Sequence, residues 1–212
     1  LITSKIISFC ERSYVSKDEI SKSELIEKES DFLLENDQKN YNSCITIKDG
    51  LLLASAGIDE SNSDNYYITY PRDIWNTAEK IWNYLRRKKK IANLGVIITD
   101  SHTNIMRRGV TGVALAWCGF DPLYSYVGKL DLYSNPLKVT QINIVDSLAT
   151  AGVFMMGEGN EQTPMVIITD IPHINFLSYP PSENERNSIK VALEEDLYAS
   201  LLMSAKWKKT NK

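Results

Sequence analysis

The feature that most limits what this chain can fold into is an amphipathic pattern that runs into a short β-branched stretch. Ile74, Ala78, Ile81, Trp82 and Leu85 fall at helical spacing behind Pro71, a residue suited to a first helical position. Residues 94–99 then form a compact apolar run ending in Asp100, which predicts a buried strand that delivers a carboxylate at its tip. A helix feeding a buried strand points to a mixed α/β (α+β) fold.

Elsewhere helix and strand signals continue to mix. Residues 43–47 and 51–54 read as strands joined by Lys48-Asp49-Gly50, where Asp-Gly supplies the positive φ angles of a tight hairpin. Residues 1–8, 110–117, 139–145 and 165–169 also read as strands, while 21–34 reads as a helix behind a serine cap. An alanine-rich helix is expected over 146–156, stopped by Gly157. Ile189, Leu193, Leu197 and Leu201 recur every four residues, predicting one long closing helix over 182–207 with a lysine-rich end.

The charge of 24 basic and 27 acidic residues nets −3, so no general attraction to nucleic acid or to an anionic membrane is expected, and a phosphate ligand must be held locally. The apolar stretches 109–120 and 149–156 are shorter than the ~20 residues of a membrane-spanning helix. Residues 86–90, Arg-Arg-Lys-Lys-Lys, could touch nucleic acid, but cations at a helix C-terminus complement its dipole. Cys10, Cys44 and Cys118 are widely separated, which suits reduced thiols in the cytoplasm. With Leu-Ile-Thr-Ser at its start, the chain is expected to lack a signal peptide and to continue a native segment that precedes Leu1.

Three acidic residues sit where chemistry is possible. Asp59, in Ala-Gly-Ile-Asp-Glu-Ser-Asn, could bind a hard cation with help from Asn62, or could simply close an Asx turn. Asp100-Ser101 sets a carboxylate beside a hydroxyl at a strand end, a suitable pair for a phosphate-bound metal. Glu158 lies in Met156-Gly157-Glu158-Gly159-Asn160-Glu161-Gln162-Thr163-Pro164, a loop whose glycines allow close approach to an ion but which lacks a Walker ending. Arg107-Arg108-Gly109 could hold a phosphate or carboxylate, or form a surface turn. His102 lies near Asp100, His173 sits among apolar residues, and neither completes a triad or a zinc pattern.

At Thr3-Ser4-Lys5-Ile6-Ile7-Ser8, Ala56-Gly57-Ile58-Asp59-Glu60-Ser61-Asn62, Ile98-Thr99-Asp100-Ser101 with Arg107 and Gly109, and Asp146-Ser147-Leu148-Ala149 leading to Met156-Gly157-Glu158, the chain resembles the CofE family. These γ-glutamyl ligases add L-glutamate to the deazaflavin redox coenzyme using GTP. Asp100-Ser101-His102-Thr103, Gly112-Val113-Ala114-Leu115-Ala116 and the loop 157–164 resemble more closely the branch assigned to folate metabolism. The resemblance implies a CofE-like fold and an intertwined homodimer, with a ligase domain over 1–176 and a C-terminal linker and helix over 177–212.

The resemblance also implies roles. Asp59, Asp100, Ser101 and Glu158 would hold Mg²⁺ or Mn²⁺; Ser4, Asn62, Met156, Gly157, Glu158 and Gly159 would contact GTP or ATP; and Asp59, Asp100 and Arg107 would serve catalysis. The expected reaction is ligation of L-glutamate to a folate or pteroate acceptor through an acyl phosphate. The alternatives are the same reaction on the deazaflavin coenzyme, or a silent nucleotide-binding regulator. Ser101 and Glu158 replace the family's threonine and glutamine, Phe9 stands where a nucleotide-contacting lysine is usual, and Asn104 replaces an arginine.

Overall fold

The computed structural model describes residues 1–35 and 44–210. In chain order its elements begin with β1 (Ile2–Thr3), α1 (Ser4–Glu11), β2 (Tyr14–Ser16), α2 (Lys22–Glu29), β3 (Phe32–Leu34), β4 (Ile45–Lys48) and β5 (Leu51–Ala54). A short 3₁₀ turn (Ser55–Gly57), β6 (Tyr66–Ile68), α3 (Ile74–Lys89), β7 (Val96–Thr103) and β8 (Val110–Cys118) follow. The chain continues through β9 (Leu123–Ser125), β10 (Gln141–Asn143), α4 (Ile144–Met156), α5 (Glu183–Asn187), α6 (Ala199–Ser204) and β11 (Trp207–Lys209). This is the mixed α+β class that the alternating signals call for.

The chain divides into two compact units. The first comprises residues 1–7, 73–104 and 109–189. Its sheet has the order β1-β7-β8, with β1 parallel and β8 antiparallel to β7. Because successive strand residues face opposite ways, Val96 and Ile98 join Ala78 and Trp82 of α3 in one core, while Ile97 joins Val145 and Ala149 of α4 in another. The three-stranded sheet is thus covered by a helix on each face.

The second unit comprises residues 8–72, 105–108 and 190–212. It holds a four-stranded antiparallel sheet of order β11-β3-β4-β5 and a β2-β6 pair. Leu25, Ile26, Ala56 and Ile58 form its core. The β4-β5 hairpin turns at Asp49 (φ 52°) and Gly50 (φ 80°), the left-handed pair that Asp-Gly predicts.

Several sequence expectations need correction. The strand expected over 1–8 is two residues of β1 followed by α1, because Ser4, Ile7 and Ser8 share one buried helical face. The helix expected over 21–34 ends at Glu29, and Phe32–Leu34 turns into β3. Ser43, placed in the first hairpin strand, lies outside the described residues, and the strand there begins at Ile45. Pro71 precedes α3 rather than opening it, since the helix begins at Ile74. Strand 139–145 yields to α4 at Ile144, where the Asn143 side chain caps Asp146 N–H. Of 165–169, only Met165 pairs, bridging Ile2.

The long closing helix is not formed. Leu197 and Leu201 are exposed, so the four-residue stripe finds no apolar surface in this unit to drive a continuous helix. Asp196 Oδ1 accepts from Tyr198 N–H at 2.7 Å, a local turn that competes with helix, and Trp207–Lys209 pairs as β11 with β3.

Candidate functional site

In the first unit the sheet register gathers one group of the expected residues. Thr3 of β1 stands opposite Thr99 of β7, so Ser4, the first residue of α1, follows β1 at the end of the sheet from which β7 runs on into Asp100. Thr3 N–H donates to Pro164 O (3.0 Å) and Val166 N–H to Leu1 O (3.1 Å), so the segment after the glycine loop runs antiparallel along β1. The loop 157–163 therefore lies at the same end of the sheet as Ser4, Asp100 and Ser101.

Asp100 and Ser101 are not at a strand tip. β7 continues to Thr103, and alternation places Asp100 on the face of Ile98 and His102 while Ser101 shares the face of Thr99. Both are half-buried. The extension follows from the partner strand: Val110–Cys118 pairs with β7 along its whole length and leaves no reason for it to stop at Thr99.

Three features fix this end of the sheet. The register slips between Ile98 and Thr99, leaving Leu115 of β8 as the extra residue of a β-bulge. Asp146 of α4 fills the gap, its Oδ1 accepting from Ala114 N–H at 2.8 Å and its Oδ2 from Asn143 Nδ2 at 2.6 Å. One turn on, Thr150 Oγ1 donates to Gly112 O at 3.1 Å. Since β8 is an edge strand, these side chains occupy backbone groups that would otherwise stay open. Gly112 permits the approach, because a Cβ there would lie 2.2 Å from Ala149 O. The sequence offered Asp146-Ser147 only as a family motif; its structural task depends on a bulge that no local signal announces.

The glycine loop is folded round a carboxylate. Gly157 ends α4 at φ 78°, and Glu161 Oε2 accepts from Gly159 N–H at 2.8 Å. The first glycine is favoured by its φ of 78°, since a Cβ there would only displace the flexible end of the Glu161 side chain. Glu158 and Gly159 are exposed, whereas the Met156 side chain is buried and leaves only backbone for a ligand. Near Asp100, burial pushes the His102 imidazole below its ordinary 6.5 despite the opposing charge of Asp146, and its Nδ1 is buried with no hydrogen-bond partner.

Asp59, Asn62 and Arg107 belong to the second unit. Asp59 Oδ1 accepts from Ser61 N–H at 2.6 Å, so the Asx turn weighed against a metal role is present. Its backbone bonds reciprocally with Ile68 at 2.9 Å, which fixes the loop's base. Ser55 (φ 51°), Ala56 (φ 55°) and Gly57 (φ 70°) precede it in successive left-handed conformations, and Asn62 adopts φ 52°. Thr46 supports this bend, its Oγ1 accepting from Ala56 N–H at 2.8 Å while donating to Leu53 O at 3.0 Å. Two non-glycine residues held left-handed in sequence mark stored backbone strain of the kind found at functional loops. The Lys22 ammonium at 2.5 Å, with Lys17 at 3.2 Å, holds the Glu60 carboxyl below the usual range. Arg107 is exposed on the tip that joins β7 to β8.

Among the described residues, no group of three or more His, Cys, Asp or Glu side chains converges as a metal site. The donors at the sheet end, a carboxylate on Asp100 and a hydroxyl on Ser101 with Glu158 in the adjoining loop, are all hard oxygens. Hard oxygens of this kind are what a magnesium-type cation takes, but alternation puts the Asp100 and Ser101 side chains on opposite faces of β7, and among the described residues they are not brought together as one set. No described helix is long and apolar enough to cross a membrane.

A family model described as F420-0:Gamma-glutamyl ligase matches residues 1–170. The coenzyme F420:L-glutamate ligase of Methanothermobacter thermautotrophicus is 40% identical over 124 residues, covering 58% of this chain and 49% of that protein. The protein of the same name from Methanopyrus kandleri is 38% identical over 122 residues, covering 57% and 48%, respectively. That of Methanosarcina acetivorans is 31% identical over 143 residues, covering 67% and 56%. The chain thus spans about half the length of the curated relatives it matches. The folate acceptor expected from the branch motifs has no counterpart in these names, which carry the deazaflavin alternative instead. With residues 1–170, four-fifths of its length, matched, the chain belongs to the F420-0:γ-glutamyl ligase family.

Proposed function

We propose that the chain forms the part of a nucleotide-dependent γ-glutamyl ligase in which L-glutamate is joined to a deazaflavin acceptor of the F420 type. The observation that supports this reading is that β1, the β7 segment leading into Asp100, and the segment after the 157–163 loop run side by side, so that Asp100 and that loop adjoin the same end of β1, inside the segment matched to the family. Ends of strands in open α/β sheets are where phosphate-bearing ligands bind.

Joining a carboxylate to an amine in water requires an activated acyl group. A carboxylate oxygen of the acceptor attacks the γ-phosphorus of GTP or ATP, the bond to the β-phosphate oxygen breaks, and the nucleoside diphosphate leaves. The glutamate nitrogen then attacks the acyl carbon, inorganic phosphate departs with the C–O electron pair, and the nitrogen gives its proton to water. Mg²⁺ or Mn²⁺, when bound, would neutralise charge on the transferring phosphoryl group. Asp100, Ser101 and Glu158 are the proposed holders, with Gly157 and Gly159 leaving room for phosphate to reach the backbone. The family resemblance adds Asp59 as a metal ligand, Asn62 and Ser4 as nucleotide contacts, and Arg107 as a clamp on a carboxylate. We also propose a homodimer, supported by an arm over 126–140 whose Leu132 is 98% and Tyr133 85% exposed.

The test is release of inorganic phosphate by the chain with Mg²⁺, nucleotide and a deazaflavin acceptor, with and without L-glutamate. Glutamate-dependent release that falls about a hundredfold in Asp100→Asn supports the reading. Nucleotide binding without release identifies a regulator and refutes it.

A further inference from the structure

A cleft of about 410 Å³ opens within the second unit and lies outside every role assigned so far. Its apolar floor includes Leu25 and Pro71, and its charged lining consists of Lys28, Glu29, Lys48, Asp49 and Arg72. The size is that of a small-molecule pocket, and a few charged groups on an apolar base are what fix a ligand's orientation.

The charges sort into two sets. Lys48 is buried, its Nζ 2.7 Å from Glu29 Oε2 and 5.0 Å from the centre of the Tyr70 ring, so this pair is neutral and anchored. Lys28, Arg72 and Asp49 make no ion pair among the described residues. Asp49 is held in place by its turn, its N–H donating to Asp31 Oδ2 at 2.6 Å. Two uncommitted cations and one uncommitted carboxylate therefore line the same cleft.

We propose that this cleft binds an α-amino dicarboxylate, with Lys28 and Arg72 taking its two carboxylates and Asp49 its ammonium group. The ligand's net charge of −1 meets a net +1 from these three side chains, and its three charged groups match theirs in number and sign. Arg72 offers a bidentate fork and Lys28 a single mobile ammonium. Inorganic phosphate satisfies the cations but is repelled by Asp49, and a plain dicarboxylate leaves Asp49 unmatched. Assigning L-glutamate as the physiological ligand rests on the ligase reading; the binding itself does not.

The experiment is calorimetric titration of the chain with L-glutamate, glutarate and inorganic phosphate, without nucleotide. L-Glutamate is expected to bind saturably, glutarate about tenfold more weakly, and the Lys28→Ala/Arg72→Ala double variant about tenfold or more below wild type. Asp49→Asn is expected to narrow the gap between glutamate and glutarate. Equal glutamate binding by a double variant that melts at the wild-type temperature overturns the proposal, as does phosphate competing at equal affinity. Asp100→Asn is expected to keep this binding while losing turnover; a wild-type chain that binds glutamate in the cleft without any turnover counts against the ligase reading alone, and turnover with unaltered binding in the double variant counts against the cleft.

Discussion

Replacing Asp146 with alanine removes the side chain that seals the bulge in β8. Ala114 is 5% exposed, so its N–H, now bonded to Asp146 Oδ1 at 2.8 Å, would have no water to replace the carboxylate. A hydrogen bond to a charged group contributes about 1.5–3 kcal/mol, and an unsatisfied buried donor costs about 1–3 kcal/mol. These figures describe overlapping effects, so the expected loss is about 3 kcal/mol rather than their sum. For a chain of this size that corresponds to a fall in Tm of roughly 6–12 °C. Asp146→Asn keeps an acceptor oxygen and should lose about 1 kcal/mol. Thermal and urea unfolding followed by circular dichroism measure both. A change below about 0.5 kcal/mol in Asp146→Ala, the range of an inert surface substitution, would refute the assignment of Asp146 to the bulge.

Gly112→Ala puts a Cβ 2.2 Å from the Ala149 carbonyl, so α4 must move; a loss of about 1–3 kcal/mol is expected in urea unfolding, and wild-type stability would contradict the packing. Because the folded state lowers the His102 pKa, the unfolded chain takes up this proton first as pH falls. The contribution is therefore complete above about pH 6.5 and is lost below it, and His102→Gln should flatten the stability profile between about pH 7 and 5. An unaltered profile would assign the acid sensitivity elsewhere. Leu132→Asp should shift the light-scattering mass from dimer to monomer, whereas an unchanged dimer would place the interface away from the arm.

The parts of the fold legible in the sequence are those set by local chemistry. Asp49-Gly50 specified its turn, Gly157 its helix stop, and the 74–85 stripe its helix, each through backbone or periodicity within a few residues. Parts set by distant partners were not legible. Residues 94–99 gave a strand, but its extension through Ser101 depends on pairing with residues 110–118. The leucines at 193, 197 and 201 have helical spacing, yet a periodic stripe becomes a helix only when a surface receives it. The candidate site shows the same division. Asp59, Asp100 and Glu158 stand out through glycine neighbours and strand edges, whereas the bracing by Asp146 and Thr150 arises from tertiary contacts. The charges of the cleft in the second unit come from three separated stretches, around residues 28, 48 and 72, and form a pattern only after folding.

The most direct test of the central claim is mass spectrometry of the acceptor after incubating the chain with Mg²⁺, L-glutamate and GTP or ATP, with deazaflavin and folate acceptors in parallel. The account predicts that the deazaflavin gains one glutamyl residue per turnover and that Asp100→Asn abolishes the gain. Glutamyl addition confined to the folate, or undiminished addition by the variant, would contradict it.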